Sequence, residues 1–215
     1  LIVGLLMVLL AGGGVAAWFL MGRSESSMSA EAEQAYRQGK FDQAKDMFGQ
    51  LQKAFPSSDK RDDYHFMEAL SDFRGQARAP DADVNAVLDR LSTFLDENRK
   101  AAPLKERAPD LAESLGWLTD AFAARNAAPQ DDGPLVVAKR IEEATARVNT
   151  INSAAPSAEL RTHIDAALGG VRLAVEHMRM VRGAVTRIEE AAKAPTPSQA
   201  VRNVLKQIQK EKIGL

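Results

Sequence analysis

Residues 29 to 57 read SAEAEQAYRQGKFDQAKDMFGQLQKAFPS. Small or aromatic side chains recur on either side of Gly39, at Ala32, Tyr36, Phe41, Ala44, Phe48 and Leu51, with the spacing of helix faces. Gly39 punctuates the middle of the stretch and Pro56 closes it. The pattern predicts two short antiparallel helices joined by a turn at Gly39.

Further helices follow toward the C-terminus. Residues 60 to 76 set Tyr64, Met67, Leu70 and Phe73 at helical spacing. Residues 81 to 100 open on Asp81 and Asp83, which suit a helix N-terminus, and carry Val84, Val87, Leu88, Leu91 and Phe94 on one face. The two form a second, degenerate hairpin between Pro80 and Pro103. A helix over 104–126 is built on Leu104, Leu111, Leu115, Trp117/Leu118 and Phe122, and Pro109 shortens or kinks its start. After a loop at 127–134, residues 135–152 carry Val137, Ile141, Ala144, Val148 and Ile151 as a seam for a helix pair.

The longest helix is expected to begin at Ser157, its cap. Its seam is Leu160, Ile164, Ala167, Val171, Ala174, Met178, Val181, Val185 and Ile188, a coiled-coil-like pattern that can pack within the domain or between chains. Gly169-Gly170 is expected to interrupt it, and Pro195 and Pro197 to end it. A last amphipathic helix spans 198–212. No stretch alternates apolar and polar residues over strand length, so the fold is all-α.

The segment Tyr-Arg-Gln-Gly-Lys-Phe-Asp-Gln-Ala (36–44), with Ala32, Phe48 and Pro56 in register, resembles one tetratricopeptide (TPR) repeat, a helix–turn–helix unit of about 34 residues. Ala32 stands where that family usually has glycine. The resemblance covers 29–57. It implies small side chains that let two helices approach, and a surface that binds extended peptides or partner helices. The matching outward positions are Glu33, Tyr36 and Arg37, with Lys40 at the turn, so these four are the expected partner-binding residues.

Ahead of this unit, residues 1–21 (LIVGLLMVLLAGGGVAAWFLM) hold no charge. A helix of that length spans about 30 Å, the hydrocarbon thickness of a bilayer. Trp18 and Phe19 suit an interface belt and Arg23 follows. Val15-Ala16-Ala17 also fits the competing reading, a cleaved signal peptide. The expected division is a transmembrane helix at 1–22, a solvated linker at 23–30, TPR-like hairpins at 31–103, and at 104–215 a helical bundle or continuation of the array. The chain is then a single-pass membrane protein of the bacterial envelope, contacting the bilayer through 1–21, with its helical domain outside the cytoplasm. The small-residue pairs Gly12/Ala16 and Gly13/Ala17 are compatible with a homo-oligomer.

Composition narrows the chemistry. Net charge is −1 with both signs mixed along the chain, so no basic field recruits nucleic acid. There is no cysteine, which excludes disulfides and thiolate catalysis. His65 sits beside Asp62 and Asp63, which read better as helix-dipole partners than as metal ligands. His163 and Asp165 lie on different helix faces, and His177 follows Glu176 without a spaced partner. No nucleophile–base set, metal motif or phosphate loop is present, so neither enzyme activity nor a cofactor is expected. The leading expectation is a membrane-anchored TPR-like scaffold for protein–protein interaction. The alternative is a juxtamembrane or sensor segment of a larger membrane signalling protein, such as a bacterial receptor kinase, whose catalytic domain precedes this chain.

Overall fold

The computed structural model describes residues 24 to 211. Among these residues there are eight α-helices, one 3-10 turn and no strand: α1 Glu25–Arg37, α2 Phe41–Ala54, α3 Arg61–Arg78, α4 Val84–Glu97, the 3-10 turn Ala102–Leu104, α5 Ala108–Arg125, α6 Gly133–Ile151, α7 Ala158–Ala192 and α8 Pro197–Lys210. The fold is all-α. No helix of the described residues is long and apolar enough to cross a membrane. The span expected over 1–21 lies outside the described residues.

Local chemistry sets the helix ends. Gly39 adopts φ 70°, and around it the Lys40 N–H donates to Ala35 O and the Gly39 N–H to Tyr36 O, each at 3.0 Å. This is a Schellman C-cap, which needs a left-handed residue and so favours glycine. Asp83 accepts from the N–H groups of Asn85 and Ala86, and Ser157 from that of Leu160, capping α4 and α7. Pro109, Pro134 and Pro197 occupy first turns, where no intrahelical N–H is lost.

Partner order reveals the topology. From α1 to α3, Glu25 meets Tyr64 and Tyr36 meets Arg74; from α3 to α5, Arg74 meets Glu113 and Arg78 meets Trp117. Numbers rise together, so α1, α3 and α5 run parallel. The pairing of Asp120 with His163 and the approach of Gly116 to Leu160 extend this order to α7. On the even helices, Arg140 reaches Asn85 and Asp89, while Arg147 reaches Ser92 and Asp96, so α4 and α6 are parallel too. Sequence neighbours run the other way: Lys45 pairs with Asp72 and Gln52 with Glu68 between α2 and α3, and Glu142 with Arg172 and Asp132 with Arg179 between α6 and α7. The result is a stack of hairpins in two layers, with odd-numbered helices in one and even-numbered helices in the other. One hydrophobic core runs between them from Met28 to Val171.

Three expectations need correction. Residues 25–30 are not a spacer: α1 begins at Glu25, because Ser24 caps it and Met28 is buried in the core. Gly169-Gly170 does not break α7, which runs unbroken for 35 residues. The glycines lie on open surface, where their cost of roughly 1 kcal/mol each is too small to outweigh the packing of a long apolar face. The buried seam of α7 is also rotated by about one residue, through Ile164, Leu168, Val171 and Val175, which leaves Val185 42% exposed.

Candidate functional site

The site is built around an arginine in a core position. Arg74 follows Leu70 by one helical turn on the inward face of α3 and is 5% exposed. Its guanidinium lies 5.1 Å from the Tyr36 ring centroid, 4.7 Å from that of Phe41 and 5.0 Å from that of Trp117. Such cation–π contacts contribute about 0.5–2 kcal/mol each, most where water is excluded.

A polar network satisfies most of this buried cation. Arg74 Nη1 donates to the Tyr36 hydroxyl at 3.0 Å and pairs with Asp110 Oδ1 at 3.3 Å, while Nη2 pairs with Glu113. Arg74 Nε is buried without a hydrogen-bond partner. The Tyr36 hydroxyl in turn donates to Asp110 Oδ2. The Arg107 guanidinium also lies over the Tyr36 ring, 5.3 Å from its centroid, and pairs with Glu33 at 2.9 Å and Asp110 at 3.6 Å. Burial pushes the Tyr36 phenol well above its ordinary range, with the Arg74 charge opposing. Burial alone would lower Arg107, but the charge and hydrogen bond of Glu33 outweigh it and hold that guanidinium above its usual value.

The network therefore joins α1, α2, α3 and α5 at one point. Around its rim, Arg78 lies 5.5 Å over Trp117 and points Nη1 at Gly39 O, 3.5 Å away. Arg37, Lys40, Arg78 and Glu113 are exposed, and Trp117 is half-buried among them. A shallow hollow on the outer side of α1, lined by Ser26, Ser29, Glu33 and Arg37, continues this surface.

Of the four residues expected to face a partner, Arg37 and Lys40 do lie on the surface. Glu33 is half-buried in its ion pair with Arg107. Tyr36 does not face outward: it is 3% exposed, because its ring packs among Arg74, Arg107 and Phe41 and its hydroxyl is held by Asp110. The sequence reading missed Arg74, Arg78, Arg107, Asp110, Glu113 and Trp117 as a group. One signal was available, an arginine at an apolar position of the α3 periodicity between Leu70 and Ala77.

The histidines stay apart. His65 and His177 are exposed, and His163 Nε2 contacts Asp120 Oδ1 at 2.6 Å rather than Asp165. Among the described residues no three of His, Asp and Glu are grouped to hold a metal ion. Comparison with known proteins adds no relative: no family model, curated protein or solved structure matches this chain.

Proposed function

We propose that this chain is a membrane-tethered, TPR-like scaffold that holds another protein against its odd-numbered helices and performs no chemistry of its own. The supporting observation is the Arg74 cluster, which fastens three parallel helices with charged and aromatic groups. A pre-ordered face loses little conformational freedom on binding, so such a cluster favours recognition. Arg37, Lys40, Arg78 and Glu113 supply specificity through charge, and the Trp117 edge supplies apolar contact. In this reading residues 1–21 anchor the chain in the bilayer and the helical stack lies outside the cytoplasm.

A photo-crosslinking residue at Lys40 or Glu113, irradiated in native membranes, tests the partner. A discrete adduct at these positions and none from Arg202, exposed on α8, is the expected result. Adducts from no position, or equally from all, would sink the proposal. The membrane side is read separately from Ser57→Cys, the single cysteine of an otherwise cysteine-free chain, with an impermeant maleimide on intact cells. Ser57 is exposed, whereas the neighbouring Ser58 is tied to Glu25.

A further inference from the structure

The even-numbered layer carries a groove that the Arg74 cluster does not touch. Because α4 and α6 are parallel, their C-terminal ends at Glu97 and Ile151 lie side by side, and the segment 98–107 turns across them. Leu95 and Leu104, 4% and 5% exposed, form the floor together with Ala101 and Ile151. Asp96, Arg99, Lys105 and Arg147 stand on the rim. Asn152 Nδ2 donates to Lys105 O at 3.1 Å, which fixes the crossing segment to the end of α6.

Charge decides what such a groove takes. Asp96 is the one carboxylate on the rim, held by Arg147 at 2.8 Å and approached by Arg99 at 3.6 Å. Lys105 enters no ion pair among the described residues. The two converging helix C-termini bring about half a negative charge each. Three cations against one carboxylate and these two partial charges leave an excess of about one positive charge beside an apolar floor.

We propose that this groove docks an acidic peptide segment of a partner protein, with one apolar side chain seated on Leu95, Leu104 and Ile151 and a flanking carboxylate bridged by Arg99 and Lys105. A flat anionic membrane fits less well, because the hollow that continues the seam sets Asp89 and Glu143 against Arg140 and Arg147 and is neutral in sum, so the excess positive charge is confined to the groove. The groove rests on the preceding reading only in taking the partner to be a protein, and it lies on the other layer from the face named there.

The test is direct. A fluorescein-labelled peptide Asp-Glu-Leu-Asp-Glu, capped at both ends, is titrated with the full chain and followed by fluorescence anisotropy. The expected result is saturable binding that weakens about tenfold or more in Arg99→Glu/Lys105→Glu and falls with added salt, as for a charge-steered contact. Replacing the peptide leucine by serine weakens it further, and circular dichroism shows the double variant as helical as the parent. Arg37→Glu/Lys40→Glu leaves the peptide affinity unchanged. No saturable binding, binding indifferent to the groove variant, or binding lost only in the Arg37/Lys40 variant would overturn the groove. So would stronger capture by phosphatidylglycerol vesicles than by the peptide. Failure here leaves crosslinking from Lys40 and Glu113 intact, so the two readings fall separately.

Discussion

The Tyr36 hydroxyl donates to Asp110 Oδ2 at 2.7 Å, joining residues 74 positions apart. It also receives Arg74 Nη1, so one oxygen links α1, α3 and α5. Tyr36→Phe keeps the ring but leaves a buried guanidinium nitrogen and a carboxylate each short of a partner. The expected loss is about 1–3 kcal/mol in urea unfolding, the penalty for unmet buried polar groups. An unchanged midpoint would mean the hydroxyl carries no structural weight.

Arg74 is expected to be irreplaceable by lysine. A lysine keeps the charge but loses the planar fork that reaches Tyr36, Asp110 and Glu113 together, and the stacking on three rings. Arg74→Lys should cost about 1–3 kcal/mol. Arg74→Met removes a desolvated cation, keeps most of the volume, and should be less damaging than Arg74→Ala. Denaturation of the three variants checks that order.

Alkali should unfold the domain as its phenols ionise. Burial, followed by the hydrogen bond to Glu25, pushes Tyr64 up to about 12, and burial raises Tyr36 as well. Unfolded tyrosines titrate near pH 10. Both phenols have raised folded values, so their stabilising contribution is complete below about pH 10 and is lost as pH climbs toward 12. The chain has two tyrosines in all, so phenolate absorbance reports on these alone. It should rise together with loss of helical circular dichroism. Phenolate forming near pH 10 with helices intact would contradict the burial.

Acid acts at Glu25, whose carboxylate receives the Ser58 and Tyr64 hydroxyls at 2.5 and 2.6 Å. These bonds, that of Ser58 first, hold its pKa below the ordinary 4.5. A lowered folded value contributes stability above the unfolded pKa and loses it as pH falls through the folded one. The advantage of the parent over Glu25→Gln should therefore be present at neutral pH and vanish in acid below 4.5. A gap between their melting midpoints that is constant with pH would refute it.

Glycines should differ in sign. Gly39→Ala forces a left-handed alanine and sets its Cβ against the Arg78 guanidinium, so a loss of about 1–2 kcal/mol is expected. Gly169→Ala and Gly170→Ala enter open space within α7, and each should stabilise by about 0.5–1 kcal/mol. Thermal melts of the three single variants decide it.

Much of the fold was legible because it is local. Gly39, Asp83, Ser157 and the three first-turn prolines act within a few residues, so helix ends could be read to within a turn or so. The interruption of the α7 seam expected at Gly169-Gly170 does not follow, because a local cost of that size is overridden by the packing along α7. The linker expectation fails for a similar reason: the polar run at 24–31 carries Met28, whose burial in the core no local signal encodes. The candidate site was harder still. Arg107 and Asp110 meet Glu33 and Tyr36 across more than 70 residues, and no spacing in the chain encodes that encounter.

The arginines between α4 and α6 repeat every seven residues: Arg140 on Asn85 and Asp89, Arg147 on Ser92 and Asp96. A ratchet with teeth at that interval is blind to a slip of one heptad, about 10 Å of travel. After a slip one way Arg140 would find the teeth of Arg147; after a slip the other way Arg147 would find those of Arg140. The buried Ile141 and Val148, and Leu88 and Leu95 opposite, share the same interval and offer no correction. What denies these other phases is the rest of the stack: Arg125, the last residue of α5, grips the Pro80 and Ala82 carbonyls at 2.6 Å just ahead of α4, Asn152 is tied to Lys105 O beyond it, and Glu142 of α6 pairs with Arg172 of α7. The phase of the even layer is thus set by its neighbours, since the repeat between α4 and α6 taken alone would leave three registers open.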